Sequence, residues 1–315
     1  MMLLMVVLLS ACSSVTKKAE SPPKTASTHM EVARSYFPFK NQGVYEGCPL
    51  TQGIACLDRL QQIAHAGFTL VMNYSQLYGS AQEELAYAQK AATLGIKIIW
   101  NMDYPVLRDQ RDILHTFPQL AAACKCSTTA PFVKYVIDLV KHLPATWGYY
   151  IGDEVSSTER AKLQAFTNDI KALDPSHPRL IVQGANSVLT AKINLTPFVN
   201  TADVLSVDFY PVGTVDESVS ETGQIAQFVQ SLANQHGKQS AMVLQAYSRS
   251  EYADPPCSPF PACTTYPTMD EMRQMLDLVL KDAHPALILW YSYFDILRSD
   301  NASKHWNDLI QAAKG

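Results

Sequence analysis

Side chains with chemical potential gather at the C-terminal ends of short apolar runs. Glu46 follows the first run, Asn73 and Tyr74 the second, and Asn101, Asp103 and Tyr104 the third. Asp153 and Glu154, Asp208 and Tyr210, Gln245 and Tyr247, and Tyr293 and Asp295 end later ones. The opposite ends carry little: Gly67-Phe68, Gly95-Ile96, Asp174-Pro175 and His284-Pro285. Carboxylates, amides and aromatic rings collected at one end suit a sugar. Its hydroxyls need carboxylate and amide partners, and the C–H faces of its ring stack on Trp and Tyr. Cleavage of a glycosidic bond further needs two carboxyl groups, one of them protonated to assist the leaving oxygen.

Glu154, Asp153 and Asp208 are the catalytic candidates. Asn73, Tyr74, Asn101, Asp103, Tyr210, Gln245, Tyr247, Trp290 and Tyr293 are candidate substrate contacts. Each has a plainer alternative. Strand-end amides such as Asn73 and Asn101 also cap loops, and Asp208 could hold the loop before Pro211. Trp290 could pack in the core, and Tyr210 and Tyr247 in a wall. Asp153 and Glu154 could complement the dipole of a helix starting near Ser157. Successive strand residues point to opposite sides, so only one of that pair should face the cleft unless the strand ends at Gly152. Glu154, with the longer side chain, is the expected one. The histidines at 65, 142, 177, 236 and 305 fall on helices or turns away from this end. Neither a histidine triad, a metal centre nor a cofactor is expected.

The elements that must position these residues alternate. Strands are expected within Tyr36–Tyr45 and over Thr69–Asn73, Lys97–Asn101, Trp147–Ile151, Arg179–Gln183, Val204–Val207, Ala241–Gln245 and Ala286–Tyr291. Several are continuous apolar runs, as parallel strands buried on both faces require. Helices are expected over Leu57–Ala66, Ala81–Leu94, Pro131–Leu143, Ser157–Leu173, Ser187–Val199, Glu221–Gln235, Met269–Lys281 and Ala302–Ala313. Gly67 and Gly95 stand where a helix C-cap belongs. Eight strand–helix units predict a single-domain (β/α)8 barrel over residues 31–315, close to the usual size of about 250 residues. Active sites in that architecture sit at the C-terminal strand ends. No G-x-G-x-x-G follows any strand, which disfavours a dinucleotide fold.

The first nine residues are apolar and run into Leu9-Ser10-Ala11-Cys12. That length suits a signal h-region and is too short to span a bilayer. The ending resembles the lipobox of bacterial lipoproteins, although no Lys or Arg precedes the run. The resemblance implies a signal peptide over 1–11, lipidation of Cys12 and a membrane anchor. Ser13 after it implies the outer rather than the inner membrane, facing the periplasm or the exterior. Residues 12–30 are poor in large apolar side chains and read as a tether, with a reach of roughly 20–25 Å. Net charge is −4 and no basic cluster stands outside the tether, so nucleic acid is not an expected partner. A monomer is expected. Of the seven cysteines, the six after Cys12 form local pairs: Cys48 with Cys56, Cys124 with Cys126, and Cys257 with Cys263. In an oxidising compartment these read as disulfides. The Cys48 and Cys257 loops would brace the cleft rim.

Trp147-Gly-Tyr-Tyr-Ile-Gly-Asp153-Glu154 resembles the fourth-strand ending of clan A-type glycoside hydrolases, in which a polar residue precedes the acid/base glutamate. Val204-Leu-Ser-Val-Asp208-Phe-Tyr210-Pro211 looks like the sixth-strand ending of related barrels, and Ile288-Leu-Trp290-Tyr-Ser-Tyr293 like an eighth-strand ending with a platform tryptophan. The resemblance covers about residues 34–313. It implies a hydrolase acting on an extracellular or envelope oligo- or polysaccharide, with Glu154 as proton donor. One position departs from it: the seventh strand carries Gln245 where retaining members carry their nucleophile glutamate. Either another carboxylate serves, such as Asp208 or Asp103, or the barrel binds glycans without cutting them.

Overall fold

The computed structural model describes Phe37 and residues 39–108, 112–252 and 265–315. All lie in one unit, Arg34–Gly315. Cys12 and the tether fall outside the described residues.

Eight parallel strands close into a barrel in chain order: β1 Gln42–Glu46, β2 Leu70–Asn73, β3 Lys97–Asn101, β4 Thr146–Asp153, β5 Arg179–Ala185, β6 Val204–Phe209, β7 Gln239–Gln245 and β8 Leu287–Tyr291. β1 pairs with β8 to complete the ring. The main helices between them are α1 Ile54–Ala66, α2 Ala81–Leu94, α3 Thr129–Val140, α4 Arg160–Leu173, α5 Val188–Leu195, α6 Thr222–Gln235, α7 Met269–Asp282 and α8 Ala302–Ala313. This is the expected (β/α)8 barrel. No helix among the described residues is long and apolar enough to cross a membrane.

Strand alternation separates two cores. Tyr45, Met72, Ile99, Tyr150, Val182, Val243 and Leu289 fill the barrel interior. Their neighbours Val44, Val71, Trp100, Ile181, Leu244 and Trp290 face the helices. The barrel interior is therefore packed, and a ligand-sized cleft opens at its mouth. Helix ends follow local chemistry. Ser80 and Glu83 form a reciprocal capping box at the start of α2. Gly67 and Gly95 close α1 and α2 at φ 109° and 69°, in left-handed conformations that a side chain would disfavour.

Some boundaries differ from expectation. α3 begins at Thr129, not Pro131, because a proline is tolerated anywhere in the first turn, where N–H groups lack intrahelical partners. Ser157–Glu159 is a 3-10 turn leading into α4. Three short helices, Tyr104–Arg108, Ile113–Thr116 and Pro118–Cys124, fill the β3–α3 connection, and Tyr293–Arg298 follows β8.

Two of the three expected cysteine pairs lie among the described residues, and both are bonded. Cys48–Cys56 staples the loop after β1 to α1, with Cα atoms 5.6 Å apart. Cys124–Cys126 closes the tight ring, at 5.2 Å between Cα atoms. The third expected disulfide, between Cys257 and Cys263, lies outside the described residues, as does the rim brace expected of its loop. The barrel seam has its own fastening. The buried Gln42 side chain accepts from the Trp290 indole at 2.9 Å and donates to the Ala313 carbonyl at 2.9 Å.

Candidate active site

β4 holds the irregularity that builds the site. Tyr150 pairs with Leu180 of β5, yet Gly152 pairs with Ile181, leaving Ile151 as an extra residue. A bulge of this kind re-aims the side chains that follow it. Ile151 joins the outer layer, and the Gly152 position faces Val155, Leu163 and Ile181. Asp153 turns back to the interior. Glu154 then leaves the strand at φ 45°, a left-handed conformation uncommon for a residue with a side chain, with its N–H donating to the Val182 carbonyl at 3.0 Å. The strand thus runs past Gly152, and both carboxylates still line the same cleft. The bulge and the left-handed turn overturn the expectation that only one could.

Glu154 lies over β5. A Cβ placed on Gly184 would sit 2.3 Å from Glu154 Oε1 and 3.6 Å from Asp208 Oδ1. Only glycine leaves that carboxyl its place. Both oxygens flank one point, so they are under about 6 Å apart, short of the roughly 6.5–9.5 Å that inverting carboxyl pairs span.

The cleft has two lobes. A deep lobe of about 320 Å³ is lined by Tyr45, Tyr74, Tyr210, Tyr247, Tyr252 and Tyr291, with Asp153, Glu154, Asp208 and Arg249. An outer polar lobe of about 610 Å³ extends over the ends of β5 and β6, past Gln183, Asn186, Thr190, Asn194 and Glu217. Glu154, Asp208, Tyr210 and Arg249 border both. The tyrosine rings brace one another: Tyr291 lies 5.1 Å from Tyr45, 5.3 Å from Tyr247 and 5.6 Å from Tyr210 between centroids.

Electrostatics follow from crowding acids in a half-dry site. Burial, then the Asp153 charge, raises the Glu154 carboxyl. Burial likewise raises Asp153, against the pull of the Tyr150 and Tyr74 hydroxyls; Tyr74 donates to Asp153 Oδ2 at 2.8 Å. Burial, then Glu154 and Asp153, pushes Asp208 well above the usual range. Asp103 is pushed up to about 8 by burial and by Asp153, whose N–H it accepts at 3.2 Å. Arg249 donates to the Tyr210 carbonyl and pairs with Glu217 at 3.1 Å. Among the described residues no three His, Cys, Asp or Glu side chains converge as metal ligands would.

Of the candidates read from the sequence, Tyr74, Asp153, Glu154, Asp208, Tyr210 and Tyr247 line the deep lobe. Six do not line either lobe, for identifiable reasons. The Asn73 amide caps its own loop, donating to the Cys48 carbonyl and accepting from Ser75 N–H. Asn101 does the same with the Tyr74 carbonyl and Asp103 N–H. Asp103 lies behind Asp153. Gln245 is fully buried: its oxygen accepts the Val212 N–H, and its nitrogen donates to the Val212 and Tyr247 carbonyls. Trp290 is a core residue facing the helices, and its neighbour Tyr291 takes the cleft position. Tyr293 is buried against Trp306, with its hydroxyl on Gln62.

Sequence reasoning missed Tyr45, Tyr291, Arg249 and Tyr252. The alternation Gly43–Tyr45 and Leu287–Leu289–Tyr291 carries the signal for the first two. The loop residues Arg249 and Tyr252 have no comparable periodicity.

No protein-family model and no curated protein matches the sequence. Solved structures do. A proposed alpha-L-fucosidase from Bacteroides thetaiotaomicron is 12% identical with TM-score 0.59, over 95% of this chain and 99% of that one. A glycoside hydrolase family 5 protein from Bacteroides vulgatus is 13% identical with TM-score 0.57, over 88% and 66%. A GH2 beta-galacturonidase from Eisenbergiella tayi is 14% identical with TM-score 0.57, over 87% and 51%. This chain therefore spans the whole of the first, about two thirds of the second and half of the third. Likeness at these identities establishes the shared barrel fold.

Proposed function

We propose that the protein is a glycoside hydrolase-like barrel acting on an extracellular or cell-envelope oligo- or polysaccharide, with Glu154 as general acid and base. The observation that carries this reading is the placement of Glu154. A bulge and a left-handed residue hold its carboxyl at the junction of an aromatic lobe and a polar lobe, over Gly184 and beside Asp208. A sugar ring in the deep lobe meets tyrosine faces, and the next residue of the glycan occupies the outer lobe. The glycosidic oxygen then lies at the junction. A carboxyl raised by burial and by a neighbouring acid keeps its proton nearer neutral pH, as a proton donor must. Glu154 and Asp208 stand too close to serve as the carboxyl pair that flanks an inverting water. The glycoside hydrolases that share the fold support the same class of chemistry. Anchoring through lipidated Cys12 at the outer membrane belongs to this reading and would present the cleft to envelope or exterior glycans.

One observation favours a second reading, a glycan-binding lipoprotein without turnover. Gln245, at the position where the clan A resemblance places a nucleophile, is closed into the β6 loop by its amide. Glu154→Gln separates the two. It keeps shape and removes the proton, so hydrolysis of released envelope glycans should fall about 10²–10⁴-fold, with affinity by calorimetry largely kept. Unchanged turnover clears Glu154. Binding with no wild-type turnover establishes the second reading.

A further inference from the structure

The deep lobe is one-sided. Its carboxyl groups among the described residues are Asp153 and Glu154 from the end of β4 and Asp208 from β6. The facing wall, from β1, β2, β7 and β8, is built of Tyr45, Tyr74, Tyr247, Tyr252 and Tyr291. Gln245 cannot add an anion there, because it is an amide and its donors and acceptor are already used. A displacement that breaks the bond to an oxygen protonated by Glu154 must come from the far face of the anomeric carbon. No described carboxylate lines the lobe on that side; Asp295, beyond β8, is buried behind the wall with its Oδ2 taken by the Tyr252 and Ser292 hydroxyls. Asp208 shares the side of Glu154, near the same Gly184 point.

Asp153 supplies the second half of the argument. It is the chain neighbour of Glu154, turned into the same lobe but deeper, with the Tyr74 hydroxyl on Oδ2. With Glu154 on the glycosidic oxygen, Asp153 in the same lobe is a partner for a substituent on the neighbouring ring carbon. It has no hydrogen to offer when ionised, so that substituent must be a donor.

We propose that the substrate is a β-linked 2-acetamido-2-deoxy sugar, and that its own acetamido oxygen performs the displacement while Asp153 accepts the acetamido N–H. The inference rests on the glycosidase reading of the cleft and names its substrate class. The carbonyl oxygen bonds to C1, the C1–O bond to the leaving group breaks, and the leaving oxygen takes the Glu154 proton. The resulting bicyclic oxazolinium carries its positive charge at the N–H facing Asp153. Water then attacks C1, giving a proton to Glu154, and the amide oxygen departs with its electron pair. The acetamido group is restored, configuration is retained, and water is the only co-reactant. Some retaining families that lack a protein nucleophile use such substrate assistance. The tyrosine faces of the lobe provide an apolar seat for the acetyl methyl.

The test compares aryl β-glycosides of N-acetylglucosamine and N-acetylgalactosamine with the matching 2-hydroxy glycosides, using the whole chain. The acetamido series should turn over, with kcat/KM falling at least about tenfold when N-acetyl becomes N-trifluoroacetyl, since the carbonyl oxygen is then a poorer nucleophile. A thiazoline mimic of the bicyclic intermediate should inhibit competitively. Asp153→Asn should lower kcat on the acetamido series about 10²–10³-fold, as loss of a preorganised charge does. Turnover of 2-hydroxy glycosides at comparable rates overturns the inference, as does a covalent 2-fluoroglycosyl adduct on Asp208 or a tyrosine; both leave the glycosidase reading standing. Failure of both substrate series to react overturns the inference together with that reading.

Discussion

The two walls of the cleft come from the same strand alternation and carry opposite chemistry. On the β4–β6 side, Asp153, Glu154 and Asp208 crowd together and lift one another's proton affinities. On the β8–β2 side, tyrosine rings pack edge to face and present carbon surface. The acidic wall is arranged at a cost: a bulge, a left-handed residue and three acids that burial makes reluctant to ionise. Such irregularities persist where the surrounding structure over-determines them, and they concentrate at functional sites. The tyrosine wall has no bulge and no left-handed residue among its described positions, although the Tyr291–Ser292 peptide bond at its edge is cis. In the proposed reading, one wall reacts and the other holds.

Substitutions on each side can break that division. The largest effect is expected from Gly184→Ala, whose methyl would fall 2.3 Å from Glu154 Oε1. Displacing that carboxyl by about 1 Å should lower turnover on the order of 10²-fold, with glycan affinity affected far less. Equal losses in both would show that the acidic wall also holds the substrate. Gln245→Glu comes next. It restores a carboxyl to β7 but sets oxygens against the Val212 and Tyr247 carbonyls, so it should destabilise by about 1–3 kcal/mol and give no gain in rate. A faster enzyme in that variant would mean that the tyrosine side can react.

On the holding wall, Tyr252→Ala removes a ring that is 53% exposed. It should raise KM or Kd about tenfold, a stacking-sized loss, and act on kcat less. The last effect concerns pH. Asp103, raised to about 8 from an ordinary 3.8, binds its proton more tightly folded than unfolded. Its contribution to stability is thus complete below about pH 4 and is lost as pH rises towards about 8. Asp103→Asn should leave melting near pH 4 almost unchanged and melt several degrees above wild type at about pH 8, since that rise corresponds to at most several kcal/mol. Parallel melting profiles for the two proteins would remove Asp103 from the acidic cluster.

The barrel was legible because buried parallel strands leave continuous apolar runs, and glycine marks helix ends; α2 and α8 fall on their expected bounds. The acidic half of the site was legible by chemistry, since Asp153, Glu154 and Asp208 stand at strand ends. Its geometry was not. The extra residue in β4 arises from pairing with β5, and nothing local in Tyr-Tyr-Ile-Gly announces it. Gln245 finds its partners 33 residues upstream, at Val212, which no strand-end rule foresees. Trp290 was expected at the cleft from the likeness to an eighth-strand ending, while the period-two pattern through Leu287 and Leu289 points to Tyr291.

The fastening at Gln42 has a bearing on how the barrel forms. This one side chain joins positions 248 and 271 residues away, the Trp290 indole and the Ala313 carbonyl. A chain emerging in order can pair β1 with β2 early, yet the ring stays open until β8 is made. Closing so long a loop adds little entropic cost beyond a shorter one, but contacts of such sequence separation slow folding. Trimming only the final turn of α8 would strand a buried amide donor at the opposite end of the sequence. The two termini of the barrel are thus a single cooperative latch.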